Sequence, residues 1–146
     1  MIDIRPFKEE DLDSIYEIEL VSFSIPWTKE DLHRDAVINN LSIYLVAVYE
    51  EQVIGYAGMW HVVTEGHITN IAVAENFRSM GVGQRLVEGL EHIAREKQMM
   101  GITLEVRMNN SAAQRLYIKN GFKVEGLRKN YYTDTKEDAL IMWKFL

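Results

Sequence analysis

The chain predicts an α+β fold built on a mostly antiparallel sheet, and three observations carry that expectation. Between residues 43 and 73, three apolar and β-branched runs are separated by short polar turns, which favours a meander of antiparallel neighbours. From Val82, an apolar stripe at helical spacing continues over residues 82–99 and opens the longest amphipathic segment of the chain. An alternating strand, a short capped helix and two further strands follow, which places a strand–helix–strand crossover in the second half. The expected total is about six to seven strands and about four helices in a three-layer α/β arrangement.

Taken in order, residues 2–5 read as a short strand ended by Pro6. Residues 9–23 read as a helix with an apolar stripe of Leu12, Ile15, Tyr16 and Ile18. Its acids, Glu9, Glu10, Asp11, Asp13, Glu17 and Glu19, read as a solvated face. Residues 24–28 break that helix, and Thr28 caps a second one reaching about Asn39, with Asp31 as the acidic half of a box-like start. Residues 43–49, 53–61 and 67–73 are the meander. Within the long helix, Val82, Leu86, Val87, Leu90, Ile93 and Ala94 share a face, and Gly101 is expected to stop it. Residues 102–107 alternate as a strand, with Ile102, Leu104 and Val106 on one side and Thr103, Glu105 and Arg107 on the other. Asn110 caps a helix over residues 111–120, and Gly121 sits where a left-handed residue is wanted. Residues 122–128 and 138–145 are the last strands.

With 146 residues and no internal repeat or linker, the chain reads as one domain, 1–146. It has no cysteine, which excludes a disulfide framework, a thiolate metal site and a cysteine nucleophile. The histidines show no ligand spacing with carboxylates, so no metal is expected. Sixteen basic against 22 acidic residues give a net charge of -6, which argues against direct nucleic-acid binding. No apolar run approaches a membrane span, and the first residues carry no secretory pattern, so a cytoplasmic location is expected.

The chemistry is concentrated in Ile71-Ala72-Val73 and the loop that follows, Arg78-Ser79-Met80-Gly81-Val82-Gly83-Gln84. A buried strand enters a loop with two glycines two apart, and the loop opens the long helix. The helix start supplies unpaired backbone N–H groups and the positive end of the macrodipole. Glycines let a phosphate approach the backbone, and Arg78 adds a cation, which together make a pyrophosphate cradle. A P-loop would need Gly-Lys-Ser/Thr, and a Rossmann fingerprint a third glycine or alanine where Leu86 stands.

This stretch resembles the GNAT superfamily of N-acetyltransferases, whose signature Q/R-x-x-G-x-G/A is matched by residues 78–83. The later Asn110-Ser111-Ala112-Ala113-Gln114-Arg115-Leu116-Tyr117-Ile118-Lys119-Asn120-Gly121-Phe122 is similar to that family's N-x-x-A-x-x-L-Y-x-x-x-G-F. Leu104-Glu105-Val106-Arg107, Asn70-Ile71-Ala72-Val73, Pro26-Trp27 and Asn130-Tyr131-Tyr132 narrow the likeness to the RimI type, bacterial enzymes that acetylate the terminal alanine of a small-subunit ribosomal protein. The chain departs from the pattern at Asn76, where proline is common, and at Ser79-Met80, where basic residues or glutamine are common.

The resemblance implies acetyl-CoA as co-substrate, held by Ile71, Ala72, Val73, Arg78, Ser79, Met80, Gly81, Val82, Gly83, Gln84, Asn110 and Tyr117. It implies Glu105 as general base and Tyr117 as the donor that meets the leaving thiolate. Pro26, Trp27, Tyr131 and Tyr132 would wall a peptide groove, and His67 is a reserve base or substrate contact. An α-amine, with pKa about 7.7–8.0, is neutralised at pH 7 for about 1–1.5 kcal/mol, against roughly 4.6 for a lysine, which favours a protein N-terminus as acceptor. The implied partner is a basic ribosomal protein, met by a monomer or weak dimer without nucleic acid or membrane. Two alternatives stand beside this: a GNAT acting on a small-molecule or lysine amine, and a non-catalytic acyl-CoA-binding module.

Overall fold

The computed structural model describes residues 1–146. In chain order the elements are β1 (Ile2–Pro6), α1 (Leu12–Ser22), α2 (Lys29–His33), β2 (Ser42–Tyr49), β3 (Gln52–Val62), β4 (Glu65–Val73), α3 (Val82–Glu96), β5 (Gly101–Arg107), α4 (Ser111–Lys119), β6 (Lys123–Arg128) and β7 (Ala139–Phe145). A 3-10 turn at Glu9–Asp11 leads into α1, and a second at Glu75–Phe77 follows β4. The sheet has seven strands in the order β1-β2-β3-β4-β5-β7-β6. Only β4 and β5 run parallel; every other neighbouring pair is antiparallel.

Period-two alternation divides the sheet's side chains between two helical layers. On β2, Leu45 and Ala47 join the core under α3, whereas Tyr44 and Val46 join the core under α1 and α2. Helix α3 buries Val82, Leu86, Val87, Leu90 and Ala94, the stripe its sequence spacing anticipates. On the opposite face Ile15, Ile18 and Leu32 are buried. The expected three-layer α+β architecture is therefore present.

Local details differ from expectation for identifiable reasons. Helix α3 ends at Glu96, short of Met99. Gln98 takes the left-handed conformation (φ 58°), its N–H donates to Arg95 O at 3.0 Å, and the Met99 N–H donates to Ala94 O at 2.9 Å. That is a Schellman closure with glutamine in the place usually taken by glycine. Gly101 accordingly opens β5 and does not stop the helix. Residues 28–39 form one short helix, α2, capped by Thr28 as expected, and then a wide π-type turn over Arg34–Ile38.

Two acids assigned to a solvated face are buried. Asp11 is clamped by Arg5 at 2.8 and 2.9 Å, and Glu19 lies under the sheet at 2% exposure. Asp35, in the π-type turn, is buried as well. It accepts hydrogen bonds from Tyr44 Oη (2.6 Å), Trp60 Nε1 (2.8 Å), Ser42 Oγ (3.1 Å) and Asn39 Nδ2 (3.1 Å). Four donors offset the cost of taking this carboxylate out of water and bolt the π-type turn to β2 and β3.

The Tyr44 ring is stacked with that of Tyr56 and lies over Gly58, where a Cβ would come within 2.7 Å of the tyrosine ring. Gly58→Ala should displace Tyr44 from Asp35 and cost about 1–3 kcal/mol, the usual penalty of overpacking. Denaturant unfolding of the variant beside the wild type measures this.

Candidate active site

A defect in the sheet creates the site. Gly58 faces Asn70 and Met59 faces Ile68, so Thr69 is an extra residue in β4. Such a bulge bends and twists its strand. Strand β4 pairs with β5 only over Glu65–His67 against Gly101–Thr103, and the two diverge beyond. The Ala74 N–H donates to Ile54 O at 2.7 Å. By the alternation of an antiparallel ladder, Asn70 and Ala72 then bond towards β3, and the N–H and C=O groups of Ile71 and Val73 point into the gap. Their side chains pack against the α3 core. These backbone groups want partners that the sheet does not supply.

At the end of the gap stands the loop predicted to cradle a diphosphate. Gly81 is the N-cap of α3, with φ 81°, no side-chain cap and open space where a Cβ would be. The first N–H donating back into the helix is that of Arg85, to Gly81 O at 3.1 Å, so those of Val82, Gly83 and Gln84 are left for a ligand. Arg78 is anchored to the strand end, donating from Nε to Val73 O at 3.0 Å. A cleft of about 610 Å³ runs along this surface, lined by Ile71, Ala72, Val73, Arg78, Ser79, Gly81, Val82, Gly83, Gln84 and Asn110 among others. Of the residues expected here, Met80 is exposed and off the cleft. The Gln84 side chain is paired to the amide of Asn120 at 2.8 Å, which leaves its backbone N–H as the available group. Lys119 also lines the cleft, a cation that its surface-helix spacing did not single out.

A second cavity of about 810 Å³ meets the first at Ile71, Asn110, Ala113, Ser22 and Phe23. Glu105 and Tyr117 face it from different elements. The Glu105 carboxylate, with its side chain 10% exposed, accepts from His67 Nε2 at 2.9 Å and lies 3.8 Å from Arg128 Nε. The hydrogen bond from His67 is the main reason its pKa falls below the ordinary carboxylate range, against the opposing effect of burial. His67 itself does not line the cavity; it reaches Glu105 from the far side, its ring edge-on to Trp60. The Tyr117 hydroxyl makes no hydrogen bond within the chain, and burial pushes its pKa well above the ordinary phenol range. Asn110 spends its Oδ1 on the Ala113 N–H at 3.1 Å, an N-cap, and lines both cavities.

Two loops close the second cavity. Trp27 lines it from the α1–α2 loop, and Tyr131 and Tyr132 from the β6–β7 loop; Pro26 does not. Burial pushes Tyr132 up to about 12, and Arg107 sits 4.0 Å over its ring. Arg107 also grips Asp134 at 2.8 and 2.9 Å, and Ser24 Oγ donates to the same carboxylate, tying one loop to the other. Glu19, Asn70, Ser24, Arg107 and Asp134 are residues of this cavity that the sequence reading did not place there. Glu19 had a readable signal. It stands four residues after Ile15 and seven after Leu12, on the stripe that faces the sheet. No group of three or more His, Cys, Asp or Glu residues is arranged to hold a metal, and no helix is long and apolar enough to cross a membrane.

Known proteins resemble this chain in sequence and fold. The Acetyltransferase (GNAT) family matches residues 12–122. A Bacillus subtilis protein, provisionally named a ribosomal protein bS18-alanine N-acetyltransferase, is 42% identical over 140 residues, covering 96% of this chain and 93% of its own. The Escherichia coli protein of that name is 33% identical over 147 residues, covering 97% and 96%. The crystal structure of the Escherichia coli ribosomal-protein-S18-alanine N-acetyltransferase superposes with a TM-score of 0.90 at 30% identity, over 98% of this chain and 92% of that one. Ard1 from Thermoplasma volcanium superposes with a TM-score of 0.88 at 33% identity, over 99% and 97%.

Removing the imidazole in His67→Ala should return the Glu105 carboxyl towards its ordinary range, visible by NMR titration of the side-chain carboxyl. Because the folded-state pKa is the depressed one, the stabilisation is present above the unfolded value and lost as pH falls through the folded value. The stability gap between wild type and His67→Ala should therefore be open at neutral pH and close below about pH 4.

Proposed function

The chain belongs to the GNAT family of acetyltransferases, and from that premise we propose that it transfers the acetyl group of acetyl-CoA to the α-amine of a protein N-terminus, that of an alanine-starting ribosomal protein. The observation that carries this reading is the meeting of the two cavities. A donor lying along the β4 gap and an acceptor entering between the two loops come together beside Ile71, Asn110 and Ala113, with Glu105 and Tyr117 facing the junction.

Acetyl-CoA supplies an activated acyl group as a thioester. The residues fit it: an uncapped helix start with an open glycine, Arg78 and Lys119 along the cleft, and unsatisfied strand amides. The outward N–H groups of Ile71 and Val73 are donors able to polarise a carbonyl.

The acceptor arrives as an ammonium and must lose a proton. Glu105, whose pKa is held below the ordinary carboxylate range, draws that proton off as the amine attacks, directly or through a water. His67 donates from Nε2 to the carboxylate at 2.9 Å, which holds Glu105 turned towards the acceptor.

Tyr117 serves the leaving thiolate chiefly as a hydrogen-bond donor. Its raised pKa makes full transfer to a thiolate, whose thiol titrates near 8.5, more uphill than for an ordinary phenol. With no cysteine in the chain, attack is direct.

The acceptor's basic character suits the exposed Glu9, Glu10, Asp13 and Glu17 of the α1 side and the net charge of -6. The setting is the cytoplasm, and the working form is a monomer or weak dimer of one domain.

Peptides beginning with Ala, Ser or Met, with a free or blocked α-amine and an internal lysine, should be scored by mass spectrometry. Acetylation confined to the free α-amine, fastest on Ala, is the expected result; modification of the lysine in the blocked peptide would redirect the reading to side-chain amines. Glu105→Gln should lower kcat by about 10²-fold, within the range of general-base removal. Tyr117→Phe should lower kcat by about ten-fold or more while CoA affinity, measured by calorimetry, stays within about two-fold.

A further inference from the structure

Glu19 is the least expected residue of the acceptor cavity. It lies on α1, is 2% exposed, and contributes to the cavity wall. It accepts from the Trp27 backbone N–H at 3.0 Å through Oε2, and from Tyr56 Oη and Asn70 Nδ2 through Oε1, the last at 3.4 Å. All three partners are neutral donors. No Lys, Arg or His nitrogen lies within salt-bridge distance of it, whereas Asp11 has Arg5, and Glu105 has His67 with Arg128 farther off. Asp35 is likewise buried without a cation, but four donors meet it and it lies outside this cavity; Glu19, with three, lines the cavity, although buried charges are ordinarily paired.

The proposed acceptor is itself a cation when it arrives. We propose that Glu19 is the positioning residue for the acceptor's α-ammonium. Its charge makes the floor of the cavity attractive to a protein N-terminus before the proton is lost. Its hydrogen bond to Trp27 holds the α1–α2 wall at the height where that ammonium enters. The inference rests on the N-terminal acceptor proposed above and deepens it. Glu105, held by His67, takes the proton, and Glu19 and Asn70 decide where the amine sits.

The charges around Glu19 leave room for this role. From β3 it is faced by Tyr56, and beyond that by Tyr44 of β2, both raised far above the ordinary phenol range by burial. From β4 it is faced by Asn70, which does not titrate. Across the cavity stand Glu105 and Arg107 of β5, and Arg107 is taken up by Asp134. Tyr117 of α4 and Tyr131 and Tyr132 of the β6–β7 loop complete the far wall. Arg78 reaches only as far as Ser22, at 3.4 Å.

A negative charge near the bound ammonium strengthens binding and also raises that ammonium's pKa. Removing it has opposite effects on the two steps. Glu19→Gln preserves the shape and an acceptor for the Trp27 N–H. It should raise KM for an Ala-starting peptide about ten-fold, leave kcat at its plateau within about two-fold, and move the acid limb of kcat to lower pH by about half a unit or more. A loss of melting temperature with KM and the acid limb unmoved would reduce Glu19 to a packing role and overturn the proposal. A second measurement holds even if that variant fails to fold. Wild-type protein loaded with CoA is titrated calorimetrically with the Ala-starting peptide and with its analogue carrying hydrogen in place of the α-amine. The analogue should bind about ten-fold more weakly, and equal affinity overturns the proposal. Turnover of the amine peptide by wild type is scored first. Its absence counts against the N-terminal acceptor, whereas the affinity comparison scores the ammonium subsite alone.

Discussion

Everything in the donor half of the site depends on one extra residue in β4. Thr69 has no partner of its own in β3, and from that point the strand's side chains exchange faces. Ile68 packs towards α3, yet Ala72 packs towards α1 and α2, although both are even-numbered. A strand twisted in this way cannot stay in register with a straight parallel neighbour, so β4 and β5 separate after three residue pairs. Backbone groups that a regular sheet would consume are thereby left for a ligand. The same divergence makes space for Glu105 to look into the gap while His67, at the last paired position, still touches it.

The acceptor half rests on a different device, buried carboxylates that hold helices to the sheet. Asp35 collects four donors and Glu19 collects three. The stacked rings of Tyr44 and Tyr56 bring the two networks side by side. An apolar layer of similar volume would hold the helices at comparable free energy, since burying polar groups yields little net stability. What hydrogen bonds add is a single allowed position, which suits a wall that must present Trp27 and Ser24 at a set height.

Much of this was legible from residues. The alternation of Leu45 and Ala47 against Tyr44 and Val46, the stripe from Val82 to Ala94, and the caps at Thr28 and Asn110 follow from local periodicity and hydrogen-bonding chemistry, and they appear where expected. Gly81 opens α3 with φ 81°, a conformation that glycine adopts without strain. What escaped was long-range. The ending of α3 at Glu96 depends on Gln98 accepting a conformation normally left to glycine, with Met99 buried beyond it. The pairing of His67 with Glu105 joins residues 38 apart, and the Ser24–Asp134 tie joins residues 110 apart. Neither has a local signature. Glu19 is the exception, since its place in the α1 stripe marked it as inward-facing, and its acidic neighbours disguised that.

The narrow seam between β4 and β5 has a mechanical corollary. Only three residue pairs join the strands β1–β4 to the strands β5, β7 and β6, so the two halves of the sheet are hydrogen-bonded at one end and held elsewhere by the shared core under α3. A pantetheine chain lying in the wedge would knit the halves together from the open end and become a surrogate strand. The loaded protein would then offer the incoming polypeptide a sheet closed across its middle.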